Sequence, residues 1–243
     1  MEPVTIALEL AVQDTAGVRI AREIGAARVE LTQALALGGL TPSPATLDRA
    51  VEAAGGEVEV HVLVRPRAGG FRYDHDEVAL MAHDVRHAIA AGAAGAVIGC
   101  QGADGALDRD ALARLVDAAG GASVTLHRVI DVTPDPLESL RVARELGLRR
   151  VLTSGGRSAA IDGVDLLGDL VAEAAGGIEI MAGGGIDASN VVEIARVGVD
   201  AVHFSAKRTV FANDDVKLGS SDDGGHEVTD PQAALAIVRA LGL

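Results

Sequence analysis

Short runs of β-branched and other apolar residues alternate along the chain with longer stretches rich in Ala, Leu and Arg. The runs predict strands at about 4–9, 27–32, 57–64, 95–100, 122–128, 149–153, 178–182 and 200–205. Apolar residues at helical spacing fill the gaps, as in Leu47–Ala54, Glu77–Ala91, Asp110–Ala119, Leu137–Leu146 and Ala188–Val197. Strands separated by helices of this size make parallel βαβ units, because each crossover returns the chain to the same end of the sheet.

The helix endings sharpen this reading. One type reads apolar-Gly-apolar, as in Ile24-Gly25-Ala26, Ala91-Gly92-Ala93, Leu146-Gly147-Leu148 and Val197-Gly198-Val199. The other reads Ala-Ala-Gly-Gly, at Ala53–Gly56, Ala118–Gly121 and Ala174–Gly177. A glycine after the last helical turn can take the left-handed conformation that stops the helix. The two types alternate along the chain, as the odd and even strands of a barrel would. With a last helix near Pro231–Leu241, the pattern predicts an α/β fold of (β/α)8 TIM-barrel type, with eight parallel strands inside eight helices. A doubly wound sheet is the alternative, but no G-x-G-x-x-G follows the first strand. Residues 1–243 read as one domain. Residues 206–228 read as a long loop after strand eight, with a polar centre at Asn213–Gly225.

Composition narrows the function classes. The 243 residues carry a formal charge of −14, which argues against nucleic acid or a membrane surface as partner. Hydrophobic residues make up 49% of the chain, enough for a large core and too many for long disorder. The longest apolar run, Ala88 to Cys100, is too short to span a bilayer. Cys100 is the one cysteine, so no internal disulfide or C-x-x-C site exists. With no signal peptide in view, a cytoplasmic location is expected.

In a barrel the site lies where strands end and βα loops begin. The expected strand ends hold Glu9, Glu30 with Thr32, Arg65-Pro66-Arg67, Cys100, His127-Arg128 with Asp131, Thr153–Gly156, Met181 with Gly183-Gly184-Gly185, and His203-Phe204-Ser205 followed by Lys207 and Arg208. Glu9 and Glu30 are candidate acid–base carboxylates, because neighbouring carboxylates push their pKa values apart. The alternative is a buried ion-pair network with the arginines. His127 and His203 are candidate proton shuttles or ligands, and with the two carboxylates could make a hard-metal site. Arg65, Arg67, Arg128, Lys207 and Arg208 concentrate positive charge that would draw in an anion, unless they pair with Glu9, Glu30 and Asp131. The loops Ser154-Gly155-Gly156 and Gly183-Gly184-Gly185 offer backbone amides that can cradle phosphate, or else simply pack loop against helix; Ser205, at the end of strand eight, is a further anion-binding candidate. Cys100 and Met181, with the two histidines, are the candidate Cu(I) donors, since sulfur and imidazole suit that ion. No lysine ends strand six, where Thr153 stands, which disfavours a Schiff-base aldolase. All four aromatics, Phe71, Tyr73, Phe204 and Phe211, follow strand three or lie at and after strand eight, as walls or a lid of a pocket would.

These motifs, in order, closely resemble the CutC family of copper homeostasis proteins. The resemblance rests on Glu30-Leu31 with Gly38–Pro44, His61–Arg67, Gly70-Phe71 with Tyr73, Thr125–Arg128 with Asp131, and Thr133–Pro136. It continues through Leu152–Gly156, Gly183–Ile186, His203–Ala206, Val216–Gly219 and Val228–Asp230, and spans about residues 6 to 240. It implies a TIM barrel, a cytoplasmic homo-oligomer (a dimer by preference), and Cu(I) binding. The chain has Thr32 and Phe204 where family members often carry cysteine, which leaves Cys100 and Met181 as its soft donors. Two function classes follow. One is a copper homeostasis protein that binds Cu(I). The other is a barrel enzyme acting on a small phosphorylated or carboxylate metabolite by lyase- or isomerase-type acid–base chemistry.

Overall fold

A computed structural model describes residues 6–211 and 224–243. Eight strands close a parallel barrel in the order β1 to β8. They are β1 (Ala7–Val12), β2 (Arg28–Leu31), β3 (Glu59–Leu63), β4 (Gly95–Ile98), β5 (Ser123–Leu126), β6 (Arg150–Thr153), β7 (Glu179–Gly183) and β8 (Ala201–Phe204). Helices α1 (Thr15–Glu23), α2 (Pro44–Ala54), α3 (His75–Ala90), α4 (Arg109–Ala118), α5 (Pro136–Glu145), α6 (Val164–Ala174) and α7 (Val191–Arg196) form the crossovers. The expected TIM barrel is what the chain forms.

Local chemistry explains the boundaries. Asp14, Ser43, Asp74, Asp108 and Asp135 cap helix N-termini by accepting a backbone N–H. Proline at the first turn of α2 and α5 gives up only an N–H that has no helical acceptor. All seven glycines at the predicted helix stops take positive φ, from 59° at Gly55 to 99° at Gly92.

Strand alternation sorts side chains into two interiors. Leu8, Leu10, Val29, Leu31, Ile98, Leu126 and Ile180 face the helices and join the large apolar core. The alternate residues face the lumen. There Leu152, Met181, Ala201 and Ala7 form a small apolar cluster. The rest of the lumen is strongly polar, with Glu9, Arg28, Glu30, His61, Thr125 and Arg150 all buried.

Two expectations change. Strand one runs to Val12, not to residue 9, so Glu9 sits mid-strand inside the barrel. The alternation of outward Leu8, Leu10 and Val12 carries the strand on. Residues 206–228 are also more than a loop. β9 (Lys207–Phe211) pairs antiparallel with β10 (Gly225–Thr229), with Lys207 opposite Thr229 and Phe211 opposite Gly225. The ribbon leads into α8 (Pro231–Leu241), which is capped by Asp230 and lies where the last helix was expected. The Val216–Gly219 motif and the middle of the 206–228 segment, residues 212–223, lie outside the described residues.

Candidate functional site

A line of charges runs up the lumen from β2 and β1 to the C-terminal mouth. The register sets Glu9 opposite Arg28 on one side and His203 on the other. Arg28 Nε donates to Glu9 Oε2 at 2.6 Å. His203 Nδ1 lies 2.7 Å from Glu9 Oε1, and its Nε2 lies 3.8 Å from Glu30 Oε2. One imidazole therefore bridges two carboxylates.

The two carboxylates are shifted in opposite directions. Burial would raise Glu9, but the hydrogen bond and charge of His203, with Arg28 and His61, outweigh it and hold the group at about 2. Burial likewise raises Glu30. There His203 opposes it only partly and Glu9 adds to it, so Glu30 is pushed up to about 7. Burial works against a charged His203, but Glu30 and Glu9 together raise it. The two carboxylates thus favour the charged imidazole between them, one of them bonded to it and the other poised to gain or lose a proton near neutral pH.

Glu30 opens into a cavity of about 330 Å³ at the C-terminal mouth, walled by Leu63, Arg65, Phe71, His127, Arg128 and His203. His127 differs in kind from His203. The Val129 N–H donates to its Nδ1 at 3.1 Å, so the neutral ring carries its proton on Nε2. Burial, with Arg65 nearby, pushes this histidine down to about 3, so it stays neutral. Its Nε2 is buried and has no acceptor among the described residues. Phe71 stacks on the ring with centroids 4.6 Å apart. His127 is thus presented to the cavity as a neutral hydrogen-bond donor.

The arginines divide. Arg65 donates to the carbonyls of Leu37 and Gly39 at 2.9 Å and of Gly69 at 2.8 Å. It staples two mouth loops together, yet no carboxylate pairs with it among the described residues, and Phe71 lies under its guanidinium at 5.4 Å. It lines the cavity as a cation held by neutral carbonyl acceptors. Arg67 turns away, pairing with Glu77 and stacking on Tyr73 at 5.0 Å. Lys207 pairs with Glu227 across the ribbon. With Ser205, Gln13 and Asp14 it borders a separate small cleft. Arg128 stays at the mouth, with Nε donating to Asp131 at 2.8 Å and Nη2 to Ser154 Oγ at 2.6 Å.

The glycine loop after β6 is filled from within. Asp131 accepts the backbone N–H groups of Ser154 and Gly156 at 3.0 Å, and the hydroxyls of Thr153 at 2.6 Å and Ser154 at 2.9 Å. The amides of Ser154 and Gly156, expected to cradle a phosphate, hold this carboxylate instead. Gly155 packs on Gly163, where a Cβ would come within 2.2 Å of the Gly163 carbonyl oxygen. At the end of β7, Gly183 leaves room for Leu152 and His203, and in the loop beyond it Gly184 lies against the Arg128 guanidinium. Gly185 accepts from Asn190 Nδ2. These glycines seat the site's side chains.

The two sulfur residues are not brought together. Cys100 faces the helices with the outer core, in phase with Ile98, whereas Met181 faces the lumen. Burial pushes the Cys100 thiol up to about 12. The Met181 sulfur accepts from Arg28 Nη2 at 3.5 Å. No group of three or more His, Cys, Asp or Glu placed to hold a metal ion occurs among the described residues. Of the aromatics, only Phe71 lines the mouth cavity. Phe204 is 2% exposed in the outer core, and Phe211 is exposed on the ribbon. Sequence reading missed Leu63, Leu152 and Val132 as cavity walls. Leu63 and Leu152 could have been found from strand parity, counting inward from Glu30 and His203. No helix among the described residues is long and apolar enough to cross a membrane.

Comparison with known proteins agrees with this architecture. The CutC family profile matches residues 6–208. A CutC family protein from Sinorhizobium medicae is 44% identical over 210 residues, covering 86% of this chain and 84% of the relative. One from Photobacterium profundum is 37% identical over 246 residues, covering 98% of this chain and 99% of the relative. The solved structure of CutC from Streptococcus agalactiae, described as a copper homeostasis protein, superposes with a TM-score of 0.78 at 30% identity, covering 82% of this chain and 98% of that one. The chain belongs to the CutC family.

Proposed function

We propose that this member of a copper homeostasis family carries at its mouth a site that takes a small oxygen-rich anion, and that Glu30 does acid–base chemistry on that anion. The observation that carries the reading is the grouping of Glu30, poised at about 7, with Arg128, Arg65 and the neutral donor His127 around one cavity. Arg128, held by Asp131, supplies charge to a phosphate or carboxylate group. His127 Nε2–H meets a ligand oxygen, which gives that buried donor its acceptor. Glu30 takes or returns a proton beside it. His203, fixed by Glu9, keeps a positive charge next to Glu30 and steadies its ionised form. This is the chemistry of a lyase or isomerase acting next to an anionic group.

The donors at the mouth do not fit Cu(I). That ion favours thiolate and thioether sulfur, and here oxygen and guanidinium groups face the cavity. The Met181 sulfur is engaged by Arg28 and Cys100 faces the other way. His127 would have to give up its bond from Val129 before Nε2 could bind a metal.

The test is calorimetry and thermal unfolding with a panel of small phosphorylated and dicarboxylate metabolites. Wild type is expected to respond to a subset, Arg128→Ala to lose the response, and Glu30→Gln to bind without turnover. Equal responses from all three proteins would sink the reading.

A further inference from the structure

The N-terminal end of the barrel holds a second and larger cavity, about 750 Å³, that the mouth chemistry does not use. Arg28, Arg144, Arg149 and Arg150 border it, against Glu59 and Glu179. In a chain of formal charge −14 this is a local surplus of positive charge. Arg28 and Arg150 are 5% and 4% exposed, and both point into the lumen. Such buried charges persist only when matched. Here the matching is incomplete. A single carboxylate, Glu179, serves Arg149 at 2.9 Å and Arg150 at 2.7 Å, and the remaining Arg150 nitrogen donates to the uncharged Thr125 hydroxyl at 3.2 Å, so two guanidinium charges share one carboxylate. Glu59 is engaged by His61 at 3.1 Å. Arg28 gives Nε to Glu9 and one terminal nitrogen to the Met181 thioether, a weak acceptor. Its other terminal nitrogen bonds no acceptor among the described residues. Arg144 reaches only the Glu173 carbonyl, at 3.3 Å.

We infer that this N-terminal cavity binds a small oxyanion carrying two or more negative charges, seated between Arg28 and Arg150 and closed from outside by Arg144 and Arg149. Phosphoryl and carboxylate oxygens share the chemistry that a guanidinium fork recognises. Titration with inorganic pyrophosphate in one arm and citrate in the other tells the two apart. Isothermal calorimetry is run on wild type, on Arg144→Gln/Arg149→Gln, and on Arg128→Ala as the control at the opposite mouth. The Arg144 and Arg149 side chains are exposed, so the double variant keeps its fold, and Arg149→Gln alone gives a milder form of the same change. Binding of either probe, weakened about tenfold or more in the double variant and retained in Arg128→Ala, is the expected result. Unchanged affinity in the double variant, loss in Arg128→Ala alone, or no heat from either probe at millimolar concentration overturns the inference.

Discussion

The carboxylate of Glu9 lies 2.7 Å from Nδ1 of His203, on a strand that begins the barrel and beside the strand that closes it. The same carboxylate holds Arg28. Glu9→Gln leaves Arg28 without a paired carboxylate in a buried site and leaves His203 with Glu30 alone, at 3.8 Å. A loss of roughly 3–5 kcal/mol in urea unfolding is expected. The pH dependence has a definite sign. Glu9 is depressed to about 2, so its contribution is present above pH 4.5 and fades as the pH falls toward 2. The Gln variant lacks that acid limb.

Glu30 works in the opposite sense. Its folded-state value near 7 lies above the ordinary 4.5, so between those limits the folded protein holds a proton that the unfolded chain has released. Stability therefore falls as pH rises from about 4.5 to 7. Urea midpoints measured across that window should decline in wild type, and the decline should flatten in Glu30→Gln. An identical slope in both proteins would assign the titration elsewhere.

Gly183 tests whether packing sets the His203 position. A Cβ there would meet Leu152 Cδ1 at 2.5 Å and His203 Cβ at 3.2 Å. Gly183→Ala should cost about 1–3 kcal/mol through overpacking. It should also displace His203 from Glu9, visible as a lowered imidazole pKa by NMR. A folded variant with an unchanged histidine titration would contradict this.

Asp131 occupies the loop after β6 as an internal anion. Asp131→Ala removes an acceptor for two amides, two hydroxyls and Arg128, and about 2–4 kcal/mol of stability should go with it. The vacated cradle should then accept formate or inorganic phosphate from solution. Thermal unfolding that rises with added formate in the variant but not in wild type is the expected signature.

Copper gives the fifth contrast among substitutions. Anaerobic Cu(I) competition against a chromophoric chelator should give the same curve for wild type and Cys100→Ala/Met181→Leu, with no tight one-to-one site in either. Cys100→Ala should cost only about 1 kcal/mol, as loss of a small buried group does. Tight binding lost in the double variant would restore a Cu(I) site built from these two residues.

The barrel was legible because its signals are local. Strand runs, Asp and Ser caps and seven helix-stop glycines each act within a few residues of themselves. The mouth was legible as a set, since Glu30, Arg65, His127, Arg128 and His203 all border one cavity. Their roles were not. Extending strand one by three residues moved Glu9 from an expected end into the lumen. Strand parity sent Cys100 outward and Met181 inward, although both stand near strand ends. Arg67 and Lys207 found carboxylates nearby and left the site.

By itself, then, the sequence determined the periodicity, the turns and the inventory of charged groups delivered to the strands. Closure of the barrel alone decided which of those groups meet. Glu9 and His203 are 194 residues apart, and no local rule pairs them. Their contact arises because β1 lies against β8, where burial makes each charge depend on the other. The same closure gave Asp131 to the amides of a distant loop and left Glu30 as the carboxyl whose proton is held loosely.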